Sequence, residues 1–256
     1  MKTVILAGGK GTRFIEQTTQ KPKPMIEIGG KPILWHIMSI YGVHGYEDFV
    51  VACGYKGNYI RDYFANFSHQ KNDIFVDMAK NRVDILHCPN PNWRLWLMET
   101  GLNTMTGGRL LRLKALLENE TFMLTYGDGV SDIDITALVA YHKSHGKIAT
   151  VTSVQPPGRF GRLVLDSYTV VKFSEKEPIK NDLINGGFFV FEPAIFDYLD
   201  NDETVLEREP MERLCADRQL MAYRHTGFWS HMDTVHEHQT LQDLWDNGVA
   251  PWKTWE

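Results

Sequence analysis

The chain has 256 residues, of which 43% are hydrophobic and 23% charged, and its formal net charge at pH 7 is −5. This length suits one large domain or two small ones, and the mildly acidic balance gives no general attraction to nucleic acid or to an anionic membrane. Cys53, Cys88 and Cys215 are far apart, so the sequence predicts neither a disulfide framework nor a structural zinc site. The N-terminal apolar run is too short for a signal peptide and no stretch is long enough to span a bilayer, so we expect a cytoplasmic protein.

The first distinctive feature is a glycine loop after a short aliphatic run. Val4–Ala7 predicts a buried strand, and three glycines follow within the four positions from Gly8 to Gly11. Such a loop exposes backbone N–H groups, and the cations Arg13 and Lys23 follow it, which is typical of an anion cradle. The alternative is an ordinary turn between strand and helix. The loop is not a P-loop, and Phe14 breaks the dinucleotide fingerprint, which disfavours a nicotinamide dehydrogenase.

Strand and helix patterns then alternate as far as residue 135. Apolar spacing predicts helices over Lys31–Val43, Asn58–Phe67 and Arg109–Leu117, and strands over Phe49–Cys53, Val83–His87 and Phe122–Thr125. Pro32 would lie in the first turn of its helix. This alternation predicts an α/β fold with a Rossmann-like, mixed and mostly parallel sheet that is flanked by helices on both faces.

After Ile135 the strands become closely spaced. They are predicted over Ile148–Val154, Leu163–Leu165, Val170–Phe173 and Phe188–Phe191, with short turns between them. This spacing indicates a small antiparallel addition to the parallel sheet. Trp245, Trp252 and Trp255 crowd the C-terminal tail, and we expect them to pack on the body of the protein or on a neighbouring subunit.

Two aspartates come at predicted strand ends. Asp128 follows Phe122–Thr125, and Asp233 precedes a helix that begins near Val235. Ligands of open α/β sheets bind at such strand ends, and Mg²⁺ takes one or two carboxylates together with phosphates and water. The alternatives are an Asp-Gly turn at Asp128 and helix capping by Asp233 or Thr234.

Two further segments carry polar groups beside glycines. Thr104–Arg109 is a glycine turn at a helix start. Its backbone N–H groups and the guanidinium of Arg109 favour the binding of a phosphate or of a carbonyl edge. The alternative is a capped helix with a solvent-facing arginine. Glu175 and Lys176 follow a strand, and Asn185–Gly187 opens the next one. This glutamate and lysine could meet sugar hydroxyls and a phosphate, or form a solvated pair.

Together these segments resemble the signature of the sugar-nucleotide pyrophosphorylases, a family of nucleotidyltransferases. The resemblance rests on Leu6–Arg13, Lys21–Pro24, Tyr126–Asp128, Glu175-Lys176 and Asn185–Gly187, and it covers nearly the whole chain. Gly101–Met105 replaces the Gly-Leu-Ala-Gln-Ala-like segment of thymidylyl- and uridylyltransferases, and this favours the branch that uses CTP. Glu177 intervenes before Pro178 in the usual Glu-Lys-Pro motif, and Lys10 replaces a residue that is often apolar or small.

The resemblance implies a GT-A-like nucleotidyltransferase domain over residues 1–256. Its nucleotide-binding part would span 1–135, its sugar-phosphate-binding part 136–235, and its C-terminal helix and tail 236–256. The implied reaction joins CTP and α-D-glucose 1-phosphate into CDP-glucose and pyrophosphate. The implied setting is the synthesis of lipopolysaccharide O-antigen by a homo-oligomer, as large as a hexamer.

The same resemblance implies the site residues. Arg13, Lys23 and Asp128 would be catalytic, and Asp128 and Asp233 would bind Mg²⁺. The implied nucleotide site comprises Leu6, Ala7, Gly8, Gly9, Lys10, Gly11, Thr12, Arg13, Lys23, Thr104, Gly108, Arg109 and Asp128. The implied sugar-phosphate site comprises Glu175, Lys176, Asn185 and Gly187. Two alternatives stay open: another nucleoside triphosphate or hexose 1-phosphate as substrate, and a non-catalytic nucleotide-binding regulator.

Overall fold

The computed structural model describes residues 1–11, 21–86, 91–156, 161–175 and 182–255. The strands are β1 (Thr3–Leu6), β2 (Glu27–Ile28), β3 (Lys31–Pro32), β4 (Asp48–Cys53), β5 (Ile74–Asp77), β6 (Arg82–Ile85), β7 (Arg94–Glu99), β8 (Phe122–Tyr126), β9 (Gly129–Ser131), β10 (Ala149–Val154), β11 (Gly161–Asp166), β12 (Thr169–Glu175), β13 (Ile184–Phe191), β14 (Leu220–Arg224) and β15 (Trp229–His231). The α-helices are α1 (Ile33–Gly42), α2 (Gly57–Ala65), α3 (Phe67–Lys71), α4 (Thr106–Arg112), α5 (Lys114–Leu117), α6 (Ile135–His145), α7 (Glu209–Ala216) and α8 (Val235–Asp246).

Seven of these strands form a central mixed sheet in the order β14-β10-β13-β8-β1-β4-β7. β1 runs parallel to both of its neighbours, β4 and β8, and its four residues are all buried. β13 is antiparallel to β8 and β10, while β14 and β7 pair in parallel at the two edges. The predicted fold class, a mixed and mostly parallel sheet with helices on its faces, is confirmed.

The predicted antiparallel strands divide into two groups. β10 and β13 belong to the central sheet itself, and strands from both sides of residue 135 therefore share one sheet. β11 and β12 form a separate two-stranded hairpin. A second separate hairpin joins β5 and β6, so the strand predicted at Val83–His87 lies outside the central sheet.

Helix α1 starts two residues later than its prediction. Lys31 and Pro32 pair with Glu27 and Ile28 in a short antiparallel ladder, so the chain is still extended at Pro32. Pro32 has a ψ of 145° and is the N-cap of α1, so the prediction that it lies in the first helical turn was wrong. Proline suits either position because its missing N–H has no helical partner there.

A buried apolar cluster covers each face of the central sheet. One cluster joins Ile37 and Tyr41 of α1 to Phe49 of β4 and to Phe188 of β13. The other joins the opposite side of the same strands to helices α4 and α5, and it includes the fully buried Phe122. Because both faces are covered, the sheet strands read as continuous apolar runs.

The C-terminal tail packs on the body of the same chain. Trp252 is fully buried, and its ring stacks on Phe228 with centroids 5.6 Å apart. Trp255 lies 5.7 Å from Trp35 of α1 by the same measure. The tail tryptophans thus close one end of the apolar cluster around α1. Within the described ranges, no helix combines the length and the apolarity needed to cross a membrane.

Candidate active site

A cavity of about 770 Å³ opens at the carboxyl ends of β1 and β8. Its lining residues are Leu6, Ala7, Gly8, Gly9, Gly11, Lys23, Pro24, Thr104, Met105, Thr106, Arg109, Tyr126, Gly127, Asp128, Ile184, Glu207, Trp229, His231 and Asp233. This edge of a parallel sheet is where open α/β proteins bind their ligands. Its volume is within the range of small-molecule sites, so the cavity is the candidate active site.

Lys23 joins the two aspartates within this cavity. Its ammonium Nζ lies 2.6 Å from Asp128 Oδ2 and also donates a hydrogen bond to Asp233 Oδ1. Burial acts to lower the pKa of Lys23, but the charges and hydrogen bonds of both aspartates outweigh it, so that pKa is raised. Lys23 therefore stays an ammonium, and the three side chains form one charged cluster.

Strand pairing explains why residues 105 positions apart meet. β9 and β15 are antiparallel, and His231 pairs with Gly129. Asp128 precedes β9 and Asp233 follows β15, so this register brings the two carboxylates to the same end of the ladder. The backbone N–H of Met232 donates to the carbonyl oxygen of Asp128 at 2.9 Å and extends the contact.

Helix α8 begins directly after Asp233, and its capping is complete without the Asp233 side chain. Thr234 is the N-cap and forms a capping box with Glu237. Glu237 Oε2 also accepts the backbone N–H of Asp233 at 2.8 Å, and Glu237 Oε1 lies 3.1 Å from His231 Nε2. The helix start therefore fixes the backbone of Asp233 and leaves its carboxylate facing Lys23.

Arg109 lies beneath the glycine loop and is only 4% exposed. Its guanidinium donates to the carbonyl oxygens of Gly8 at 3.0 Å and Gly101 at 2.7 Å, and to Thr100 Oγ1 at 2.7 Å. A Cβ on Gly8 would come within 2.2 Å of Arg109 Nη1, so glycine is required for this contact. The alternative prediction of a solvent-facing arginine is wrong, since Arg109 joins the loop to the start of α4.

Lys10 and Gly108 are described but do not line the cavity. Lys10 Nζ donates to Asn103 Oδ1 at 3.1 Å and so links the glycine loop to the segment before α4. The N–H of Gly108 donates to Thr204 O at 3.2 Å, and a Cβ there would meet the Asp202 backbone at 2.5 Å. Gly108 thus allows the 201–207 segment to pack closely on α4.

Of the residues predicted for the sugar phosphate, Glu175, Asn185 and Gly187 are described, and they do not line the cavity. Asn185 Nδ2 donates to the Tyr126 hydroxyl at 3.1 Å, and Asn185 Oδ1 accepts the N–H of Gly187 at 2.8 Å. Gly187 has a φ of +82°, and a Cβ there would lie 2.6 Å from the Tyr126 ring. Glu175 ends strand β12 at the surface. These contacts make Asn185 and Gly187 supports of Tyr126.

Ten of the predicted site residues share the cavity wall: Leu6, Ala7, Gly8, Gly9, Gly11, Lys23, Thr104, Arg109, Asp128 and Asp233. Thr12, Arg13 and Lys176 lie outside the described residues. Sequence reasoning did not find Glu207 or Trp229 as wall residues. Trp229 could have been found, because it shortly precedes the predicted site residue Asp233, whereas Glu207 lies in a turn with no recognisable pattern.

The donor set of Asp128 and Asp233 fits a magnesium ion. The two carboxylates already share one cation, the Lys23 ammonium, and both side chains are partly exposed to the cavity, at 30% and 23%. Within the described part of the chain, no three histidine, cysteine, aspartate or glutamate side chains cluster as a metal site. Two carboxylates suffice for Mg²⁺, which keeps several waters and takes phosphate oxygens from its substrate.

Comparison with known proteins shows the family to which the chain belongs. The nucleotidyl transferase family model matches residues 2–237, and the chain belongs to this family of enzymes. It is 51% identical, over the full length of both chains, to glucose-1-phosphate cytidylyltransferase of Salmonella typhi. It is 43% identical, again over both full lengths, to the probable glucose-1-phosphate cytidylyltransferase of Bacillus subtilis (strain 168). The solved structure of HddC from Yersinia pseudotuberculosis complexed with GMP-PN superimposes with a TM-score of 0.69 at 20% identity, covering 95% of this chain and 99% of the other, and it supports the fold alone.

Proposed function

We propose that the chain transfers the cytidylyl group of CTP to α-D-glucose 1-phosphate. A phosphate oxygen of the sugar phosphate attacks the α-phosphorus of CTP in line, the bond to the β-phosphate oxygen breaks, and pyrophosphate leaves. The main observation in support of this proposal is the cluster of Lys23, Asp128 and Asp233 inside the cavity. That cluster belongs to a chain similar over its whole length to glucose-1-phosphate cytidylyltransferases.

The reaction needs positioning and charge neutralisation, and no covalent enzyme intermediate is required. The glycine loop would hold the nucleotide phosphates through backbone N–H groups. Lys23 would neutralise charge near the α-phosphate, and its raised pKa keeps the ammonium charged for that purpose. Arg109 would support the loop from below, through the carbonyl of Gly8. By resemblance Arg13 and Thr12 extend the phosphate site, and Glu175, Lys176, Asn185 and Gly187 hold the sugar phosphate.

Mg²⁺ is the proposed cofactor, with Asp128 and Asp233 as its protein ligands. When bound, Mg²⁺ supplies positive charge that offsets the charge of the phosphates as the α-phosphorus is attacked. The two carboxylates would hold and orient it, and Lys23, which contacts both, would bind the phosphates. The partial exposure of both carboxylates to the cavity supports this assignment.

We also propose that the active form is a homo-oligomer, as large as a hexamer. Support comes from the two separate hairpins, because both expose apolar side chains to solvent. From the same family resemblance we propose a cytoplasmic enzyme whose product feeds deoxyhexose synthesis for surface polysaccharide.

The test is pyrophosphate release with glucose 1-phosphate, Mg²⁺ and each of CTP, UTP, dTTP, ATP and GTP in turn. Release with CTP alone, abolished by a chelator and restored by Mg²⁺, is the expected result. Release with another nucleotide overturns the choice of base, and release in the presence of the chelator overturns the role of Mg²⁺. Nucleotide binding without release, with any hexose 1-phosphate, would favour the non-catalytic regulator.

A further inference from the structure

Glu207 is a wall residue with an unusual set of partners. Its Oε1 accepts the Tyr126 hydroxyl at 2.6 Å, and its Oε2 accepts the Thr106 hydroxyl at 2.7 Å. Thr106 is the first residue of α4, on the proposed nucleotide side, and Tyr126 is bound by Asn185 on the proposed sugar side. The carboxylate thus lies where the two proposed halves of the active site meet.

The backbone around Glu207 is held firmly against α4. The carbonyl of Thr204 accepts the N–H groups of Gly107 at 2.9 Å and Gly108 at 3.2 Å. The Thr106 hydroxyl also accepts the N–H of Leu206 at 2.9 Å. Since both the backbone and the carboxylate are anchored, Glu207 is oriented before any substrate arrives.

The chemistry of Glu207 limits what it can bind. Each carboxylate oxygen accepts more than one hydrogen bond, so one donor from Tyr126 and one from Thr106 leave further capacity. A carboxylate repels phosphate groups and favours neutral donors, and hydrogen bonds to a charged acceptor are stronger than neutral ones. The substrates proposed above carry two kinds of neutral donor, the cytosine amine and the sugar hydroxyls. Only sugar hydroxyls occur on both substrates, whose proposed sites meet at Glu207.

We propose that Glu207 contacts the substrate and accepts a hydrogen bond from a sugar hydroxyl, of either the ribose or the hexose. Tyr126 and Thr106 are positioning residues that aim its carboxylate. This inference rests on the proposed function, because it needs substrates that carry such hydroxyls. The segment before α7, which contains Glu207, would then take part in substrate selection.

The experiment compares wild type with Glu207→Gln on matched substrates. The amide keeps the shape of the side chain but loses the charge and one acceptor oxygen. We expect kcat/KM for CTP and glucose 1-phosphate to fall by about 10- to 100-fold, the value of one charge-assisted hydrogen bond. Glu203→Gln is the matched control, since Glu203 is exposed in the same segment and does not line the cavity.

Deoxy substrates identify the hydroxyl. The panel contains 2′-deoxy-CTP, 3′-deoxy-CTP and the 2-, 3-, 4- and 6-deoxy analogues of glucose 1-phosphate, each measured with both enzymes. A contact with the ribose predicts that Glu207→Gln loses its defect with one of the two deoxy-CTP analogues alone. A contact with the hexose predicts the same with one deoxyhexose phosphate. A defect that is equal for every substrate would show a merely structural role and would overturn the proposal, as would the absence of any defect.

A second variant covers the case in which Glu207→Gln does not fold. Tyr126→Phe removes the hydroxyl that aims Glu207 and leaves the carboxylate in place. We expect about a 3- to 10-fold loss of kcat/KM, again reduced for the one analogue that lacks the contacted hydroxyl. An equal loss on all analogues overturns the proposal. Wild-type turnover with CTP tests the proposed function separately. The proposed function and the proposed role of Glu207 can therefore fail independently.

Discussion

At the scale of single residues, the charge balance between Lys23 and its two aspartates governs the active site. Two carboxylates this close together repel each other unless a cation lies between them. In the structure the cation is the Lys23 ammonium, in contact with both. A divalent ion that enters alone must therefore compete with Lys23, whereas an ion that arrives with the nucleotide also brings phosphates for Lys23 to bind.

This competition predicts that Lys23→Met binds Mg²⁺ more tightly than wild type when no nucleotide is present. Loss of the competing charge should tighten binding by about 10-fold or more, measured by calorimetric titration with magnesium chloride. Lys21→Met is the control, because Lys21 pairs at the surface with Glu27 at 2.7 Å. Unchanged Mg²⁺ affinity in Lys23→Met would contradict the role of Lys23 as an internal counterion.

Arg109 shows how a nearly buried charge can shape the wall of a site. Its guanidinium satisfies carbonyl oxygens from the glycine loop and from the segment before α4. A lysine ammonium cannot reproduce the several hydrogen bonds of the planar guanidinium. We therefore expect Arg109→Lys to lower the free energy of unfolding by about 2–4 kcal/mol.

The same change should raise the KM for CTP, because the carbonyl of Gly8 loses its anchor. Urea unfolding and initial rates measure the two effects. Arg112→Lys on the same helix is the control, and there we expect little change, since Arg112 is exposed and pairs with Asp202 at the surface. Normal stability in Arg109→Lys would show that water can replace the guanidinium.

At the scale of elements, helix α8 connects the active site to the C-terminal tail. It starts beside Asp233, and Gln242 within it accepts the N–H of Gly29 at 3.0 Å, in the turn after β2. The tail then returns to α1, where Trp252 Nε1 donates to His36 Nδ1 at 3.3 Å. His36 Nε2 lies 2.8 Å from Ile28 O, so the ring is neutral with its proton on Nε2.

The buried His36 predicts a loss of stability in acid. Burial lowers the pKa of His36 from 6.5 to about 4. Below pH 6.5 the unfolded chain takes up a proton that the folded chain refuses until about pH 4, so the free energy of unfolding falls over this interval. Between pH 7 and pH 5 the fall from this one group is about 2 kcal/mol.

Urea unfolding of wild type and His36→Gln at pH 7 and pH 5 measures this loss of stability. Other titrating groups contribute to both proteins alike, so the difference between the two pH dependences isolates His36. We expect the variant to be less stable at pH 7 and to lose less stability on acidification. An equal loss in both proteins would mean that His36 is protonated in the folded state at pH 5.

At the scale of the whole molecule, the sequence predicted the sheet and its strand-end aspartates because both follow from local patterns. Apolar runs that end in glycine or aspartate mark the central parallel strands, as at β1 and β8. The edge strand β7 was missed, because an apolar run of four residues does not distinguish a strand from a helix, and only pairing with β4 decides it. Glu207 and the buried fork of Arg109 could not be predicted either, since they depend on contacts between residues about 100 positions apart.

The hairpins β11–β12 and β5–β6 both expose apolar side chains in the part of the chain that the structure describes. In β11–β12, Leu163 and Phe173 are paired across the strands and are 52% and 63% exposed. In β5–β6, Val76 and Val83 are likewise paired and exposed. Isolated two-stranded ribbons are marginal in water, so covering these surfaces with other copies of the chain would stabilise both. A hexamer built from dimers and trimers needs two kinds of interface, which two hairpins can supply.

We therefore predict that the hairpins carry separate interfaces of one assembly. Light scattering after gel filtration should give wild type a mass near six times the 29.4 kDa of the chain. Leu163→Lys with Phe173→Glu removes apolar surface while leaving opposite charges paired across the strands, and it should reduce the assembly to dimers or trimers. Val76→Lys with Val83→Glu should give the complementary species, and all four changes together should give monomers. A monomeric wild type, or a hairpin variant that keeps the wild-type mass, would contradict the assignment of that hairpin to an interface.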